Sequence, residues 1–264
     1  VFLTSMIDAL IQLHSVNLRY ILTYGCGVSF NHYFLSQLHQ DKSYIMVINH
    51  RSHTDILVIL AVFYDKIPDV KFFLKRSLLY VPFLGQFCYL MNYIFVKKIA
   101  PKVARKDPST VHKQRVMIQK QCKNLMQSPV TLAVFAEGTR FCQERKAKHT
   151  AIRFSNLLSP QPAGLALAIE ACSSSVHELL DVTLVYDVGF VSVWLLLSGQ
   201  VSTIEVHAQT YDVTKLQLAG DYVKDRQFRK RFSEWIKRLW LKKDALLTTA
   251  LSRLRSRQVL SSVR

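Results

Sequence analysis

The sequence predicts an α/β fold: a mostly parallel central sheet with flanking helices, an N-terminal helical segment and a C-terminal amphipathic helix. Three observations carry that expectation. Short β-rich apolar runs alternate with helical ones from Tyr44 to about Asp187, as in layered α/β architectures. Two of the runs end in polar clusters, at His50 and at Glu137, and parallel sheets favour functional residues at the carboxyl ends of their strands. Near the C-terminus, aromatic and aliphatic residues recur at helical spacing.

In chain order, residues 1 to about 40 read as an amphipathic helix and connector, with Ile7, Leu10, Ile11, Leu18, Tyr20 and Ile21 among polar residues. Such a helix covers a core or faces a membrane equally well. Strands are expected over 44–49, 71–74, 93–97, 131–136 and 181–186, and helices over 55–64, 110–127 and 163–172. Residues 99–115 form a basic, proline-punctuated loop leading into a helix. A second basic loop, 141–162, carries Arg145, Lys146, Lys148, His149 and Arg153. Both read as solvated surface whose sign attracts anions. From about Asp225 to Leu251, Phe228, Phe232, Trp235, Ile236, Leu239 and Trp240 share one helical stripe, with cations such as Arg229, Lys230, Lys237 and Arg238 around it. That stripe either packs on the sheet or lies in a lipid interface. No repeat, low-complexity segment or linker divides the chain, so one domain spanning 1–264 is expected.

Composition narrows the partners. A chain of 264 residues can bury a sizeable core. Half of its residues are hydrophobic, yet 35 Lys and Arg face 18 Asp and Glu, a net charge of +17. Such a balance implies an anionic partner. For nucleic acid there is no zinc-finger spacing, RNP-like sequence or heptad-backed basic region, so no nucleic-acid partner is expected. An anionic membrane surface suits hydrophobic richness with basic charge better. Cys26, Cys88, Cys122, Cys142 and Cys172 are scattered, odd in number and without a CxxC pair. Neither a disulfide framework nor a metal site is indicated, and a reducing compartment is the simplest inference. No uninterrupted apolar run reaches the roughly 18 residues of a spanning helix. The chain begins with Val rather than Met, and residues before it are expected.

The chemistry-bearing stretch is Asn49-His50-Arg51-Ser52-His53-Thr54-Asp55, between the apolar runs 44–48 and 56–60. A histidine at a strand end with a carboxylate five residues on is a candidate general base with its orienter. The turn between them matters, because on a continuous helix that offset would point the two side chains apart. A structural alternative stands beside it: Ser52 capping the helix with Asp55 at N3, a capping-box variant. Backbone amides at this helix start are candidate oxyanion donors. The second cluster follows Thr131–Phe135: Glu137, Gly138, Thr139 and Arg140. Gly138 permits close backbone approach of a ligand, and Arg140 has the fork to grip a phosphate.

His50-x4-Asp55 followed by Phe135-x-Glu137-Gly138-Thr139-Arg140 resembles the glycerolipid acyltransferase family, which includes 1-acylglycerol-3-phosphate acyltransferases. The likeness runs through 72–75 and 81–85 to the tail around Gly220-Asp221-Tyr222 and 228–247, which looks like a bacterial, membrane-bound subgroup. The resemblance implies transfer of a fatty acyl group from a thioester, on CoA or acyl-carrier protein, to the free hydroxyl of a lysophospholipid. Lysophosphatidic acid giving phosphatidic acid is the leading case, with no further cofactor. It also implies the inner, cytoplasmic membrane, an active site facing the cytoplasm, and a hydrophobic anchor before Val1.

Catalysis then falls to His50 and Asp55, and acceptor binding to Lys98, Glu137, Gly138, Thr139 and Arg140. Glu137 is expected to meet the acceptor glycerol. Lys98 stands where the family carries an arginine, in Phe95-Val96-Lys97-Lys98, keeping the charge but losing the bidentate fork. The fourth motif, Val182–Tyr186, lacks its usual proline and is assigned to core or acyl pocket. No Gly-x-Ser-x-Gly elbow occurs. A non-catalytic membrane-binding protein and a thioester or lipid hydrolase are the competing readings.

Overall fold

The computed structural model describes residues 12–97, 107–142 and 154–262. Strands β1 (Ser29–Phe34), β2 (Tyr44–Ile48), β3 (Val70–Lys75), β4 (Ile94–Val96), β5 (Thr131–Phe135), β6 (Glu178–Tyr186) and β7 (Thr203–Asp212) form one sheet. Its order is β1-β7-β6-β2-β5-β3-β4. Only the β6–β7 pair is antiparallel. The helices are α1 (12–20, running into a π turn at Ile21–Gly25), α2 (Thr54–Phe63), α3 (Leu84–Leu90), α4 (Pro108–Leu125), α5 (Pro162–Cys172), α6 (Val193–Leu197) and α7 (Arg226–Ser262).

β2 lies at the centre, with parallel partners β5 and β6 on its two sides. All five of its residues are buried, which is why the run carries no polar alternation: a parallel strand covered on both faces is apolar throughout. The faces still separate by the two-residue period. Tyr44, Met46 and Ile48 join one core with Leu18 and Leu22 of the N-terminal helical stretch and Val58, Ile59, Val62 and Phe63 of α2. Ile45 and Val47 join the other with Ile118 of α4, Leu165 and Ile169 of α5, and Phe232, Ile236 and Trp240 of α7. Eight of the ten residues of α2 are buried, which suits its nearly all-apolar sequence and fixes the helix that carries Asp55.

Two strands were not expected. β1 sits at the sheet edge with a mixed exposed and half-buried pattern, so its sequence lacks an apolar run. β7 buries Ile204, Val206 and Ala208 on one face between polar neighbours, a period-two signal that went unassigned. Part of the N-terminal segment read as helix and connector is therefore strand. The C-terminal helix is longer than expected, 37 residues, and its two possible roles are decided. Phe228, Phe232, Ile236, Leu239 and Trp240 are buried in the second core, so the stripe packs on the body of the protein.

α7 also carries a buried cation. The Lys243 ammonium pairs with Asp181 at 2.5 Å and donates to the Val182 carbonyl at 2.6 Å and to Thr183 Oγ1 at 3.1 Å. Burial raises the Asp181 carboxyl and lowers the Lys243 ammonium, each against the attraction of the other. Among the described residues no helix is long and apolar enough to cross a membrane.

Candidate active site

The site begins one residue past β2. The Asn49 side chain donates to the Leu184 carbonyl at 3.0 Å and accepts from the Leu184 amide at 2.9 Å, adding a rung to the β2–β6 ladder in side-chain form. This pins the point where the chain leaves the sheet, and His50 follows. The turn through Arg51 and Ser52 leads into α2, whose N-cap is His53 with no side-chain capping bond. The expected Ser52 cap is thus displaced by one residue; Ser52 Oγ accepts from the Thr54 amide at 3.4 Å.

Asp55 is fully buried and gathers four contacts. Its Oδ2 lies 2.8 Å from His50 Nδ1 and accepts from the Arg51 amide at 2.7 Å and the Ser52 amide at 3.0 Å. Its Oδ1 accepts from the Tyr186 hydroxyl at 2.7 Å. Orienter and cap are therefore one arrangement: the carboxylate that closes the turn also holds the imidazole. An ionised carboxylate only accepts, so Nδ1 carries the ring hydrogen and Nε2 presents its lone pair. The expectation that this helix start supplies oxyanion donors does not survive for these amides. Those of Arg51 and Ser52 are spent on Asp55, and that of Asp55 lies 3.3 Å from the Ser52 carbonyl.

The second cluster packs directly on the first. Glu137, 3% exposed, accepts from the His50 amide at 3.1 Å through Oε1 and from the Leu158 amide at 3.1 Å through Oε2. The expected contact from this carboxyl to acceptor glycerol is not what the geometry offers, because both oxygens face protein amides away from solvent. Burial raises the Glu137 carboxyl to about 8, against the two amides and the nearby Arg51 guanidinium. Gly138 takes the left-handed conformation at φ 65°, which a residue with a Cβ adopts only with strain. That turn returns the chain so that the Phe141 amide donates to the His50 carbonyl at 2.8 Å. Thr139 is half-buried and Arg140 exposed. Burial, with the Arg140 charge adding to it, lowers the imidazole of His53.

The His50 ring stacks on Phe135 with centroids 4.1 Å apart, and Phe135 stacks on Phe72 at 6.0 Å. An apolar wall thus backs the imidazole and limits its rotation. Lys98 lies outside the described residues. Its neighbour Lys97 is exposed at the carboxyl end of β4, three strand positions from β2 and so roughly 14 Å away across the sheet. The residue missed by sequence reasoning is Tyr186, assigned to core or acyl pocket and found bonded to Asp55. Its signal was a phenol ending the mostly apolar run Val182–Tyr186. A buried Tyr hydroxyl requires a partner.

A family model described as Acyltransferase matches residues 29–187. The chain belongs to the acyltransferase family. The matched span holds every group around Asp55, while α7 lies beyond it. Among curated proteins, this acyltransferase-family chain is similar to the 2-acyl-1-lysophosphatidylinositol acyltransferase of Saccharomyces cerevisiae, 24% identical over 79% of this chain and 62% of that one. It is also similar to the 1-acyl-sn-glycerol-3-phosphate acyltransferase 3 of Arabidopsis thaliana, 27% identical over 78% and 53%. The chain thus spans between about half and three fifths of the length of these relatives. They come from a yeast and a plant and do not single out the bacterial subgroup. Among solved structures, it is similar to the 1-acyl-sn-glycerophosphate acyltransferase of Thermotoga maritima, with TM-score 0.48 and 14% identity over 87% of this chain and 78% of that one.

Proposed function

We propose that this protein moves a fatty acyl group from an acyl thioester, acyl-CoA or acyl-carrier protein, to the free hydroxyl of a lysophospholipid, with lysophosphatidic acid as the leading acceptor. The observation that carries this reading is the 2.8 Å contact between His50 Nδ1 and Asp55 Oδ2, with the imidazole side chain 13% exposed. It is a base held by its orienter, with the imidazole still partly accessible. His50 Nε2 takes the proton of the acceptor hydroxyl as its oxygen attacks the thioester carbonyl. The new C–O bond forms, the C–S bond breaks, and the imidazolium returns the proton to the departing thiolate. Asp55 stabilises that imidazolium without itself being protonated.

Acceptor recognition is assigned to Gly138, Thr139 and Arg140 beside His50, with Lys98 supplying a second cation from the β4 end. Glu137 serves the acceptor indirectly, by fixing the two loops that frame it. The reaction is placed at the cytoplasmic face of a membrane, in keeping with the +17 charge and an acceptor that resides in lipid.

A panel of acyl-CoA and acyl-carrier-protein donors crossed with lysophospholipids tests the reading. Thiol release coupled to diacyl phospholipid formation is expected, with His50→Ala losing turnover while its circular dichroism and melting curve stay close to the parent's. Acyl transfer at parental rate by folded His50→Ala ends the proposal. Thiol release without an acylated lipid would identify a hydrolase instead.

A further inference from the structure

The loop that frames the site is held from a helix outside the matched family span. Asp244, on α7, accepts from the Ser155 amide through Oδ2 and from the Asn156 amide through Oδ1, each at 2.7 Å. The Asn156 side-chain amide donates to Thr248 Oγ1 at 2.8 Å, one turn further along α7. From this anchored stretch two arms reach the site. The Asn156 carbonyl accepts from Arg51 Nη1 at 3.1 Å, and the guanidinium lies 4.7 Å over the Phe141 ring. The Leu158 amide donates to Glu137, whose other oxygen accepts from the amide of His50. One carboxylate therefore sits at the root of two paths, to Arg51 and to Glu137, that converge on the turn carrying His50.

We infer that Asp244 is a positioning residue for acyl transfer, fixing Arg51 and Glu137 through residues 155–158 and, through them, the direction of the His50 imidazole. The inference rests on the function proposed above. Three features separate this role from ordinary packing. Asp244 is only half-buried, and among the described residues its carboxylate forms no ion pair within 4.0 Å; its two oxygens go to loop amides. Hydrogen bonds to an ionised acceptor are the strong, directional kind. The base beneath is rigid, because the adjoining Lys243 is locked to Asp181, Val182 and Thr183, and a site needs such fixed support to hold its geometry.

The test compares Asp244→Ala and Asp244→Asn with Leu247→Ala, a fully buried neighbour on the same helix whose side chain carries no hydrogen-bonding group. Displacing a reacting group by about 1 Å costs up to roughly a hundred-fold in rate. Asp244→Ala should therefore lower kcat at least about ten-fold with both KM values within about three-fold. Asp244→Asn, which keeps one acceptor and turns a donor toward the other amide, should fall in between. Leu247→Ala should lower the melting temperature at least as much yet keep kcat within about two-fold. The imidazole ¹H–¹⁵N signal of His50 should move in Asp244→Ala and stay in place in Leu247→Ala.

Parental kcat in either folded Asp244 variant overturns the inference. So does an equal loss in Leu247→Ala at matched stability. If Asp244→Ala fails to fold, Asp244→Asn decides by the same criterion. If the parent protein transfers no acyl group, the functional reading has failed, and the His50 signal alone judges the clamp: an unmoved signal refutes it.

Discussion

Tyr186 and Asp55 stand 131 positions apart in the chain, yet the Tyr186 hydroxyl donates to Asp55 Oδ1 at 2.7 Å. The tether fixes the carboxylate so that its other oxygen faces His50 Nδ1. Burial, reinforced by the Asp55 charge, raises the Tyr186 phenol well above its ordinary range. The tyrosine therefore remains a donor throughout the physiological range.

Tyr186→Phe keeps the ring and removes that donor, leaving a buried carboxylate oxygen without its partner. The stability cost should be about 1–3 kcal/mol, read from chemical denaturation. Turnover should fall by about ten-fold or more, because the carboxylate gains freedom to turn away from the imidazole, while acceptor KM stays close to parental. Parental turnover in the phenylalanine variant would show that Asp55 is held adequately by the Arg51 and Ser52 amides.

Glu137 sets a pH dependence whose sign is fixed by burial. Its carboxyl is raised from 4.5 to about 8 in the folded protein, so the native state binds the proton more tightly than the unfolded chain. Stability contributed by that proton is present at low pH and declines as pH rises from about 4.5 to about 8, by at most about 1.4 kcal/mol per unit. Denaturation of the parent at a series of pH values should show this slope, and Glu137→Gln should flatten it. Parallel profiles for the two proteins would mean that the carboxyl titrates normally.

Arg140→Ala should act on the acceptor. Losing a hydrogen bond to a charged group costs about 1.5–3 kcal/mol, roughly ten- to a hundred-fold in apparent affinity. The KM for lysophospholipid should rise by that order while the KM for the thioester changes little. Initial rates with each substrate varied in turn decide the matter. A change confined to the thioester KM would move Arg140 to the donor side.

The exposed cations of α7 bear on the membrane. Its core-facing stripe is buried, so its exposed cations act on a lipid surface electrostatically and in a salt-sensitive way. Lys230, Lys237, Arg238 and Lys242 are all exposed. Each cation near an anionic surface is worth about 1 kcal/mol, screened over roughly 8–10 Å at physiological salt. Reversing all four charges should reduce co-sedimentation with anionic vesicles and leave turnover on detergent-dispersed substrate near parental. Unchanged sedimentation would place the membrane contact on another face.

Local pattern settled a good part of the fold and site. The run 44–48 is apolar throughout because a central parallel strand is covered on both sides, and the reversal from strand to helix around 50–55 follows from two apolar blocks around a polar turn. That juxtaposition alone put His50 and Asp55 within reach of each other. The edge strand β1 was illegible because its neighbours cover little of it, so its residues need not be apolar. Lys98 was legible as a cation after β4 but lies outside the described residues.

What the sequence by itself determined, then, was the strand-turn-helix that brings His50 to Asp55, the α/β class and the existence of an apolar stripe on the last helix. Which surface that stripe meets was decided by the tertiary structure, since an amphipathic face specifies an apolar partner and not which one. The same holds for the second oxygen of Asp55, the two oxygens of Glu137 and the loop amides held by Asp244. Hydrogen bonds between residues some 20 to 130 positions apart leave no periodic trace in the chain. They exist because the packed sheet and α7 bring those groups to within about 3 Å of one another.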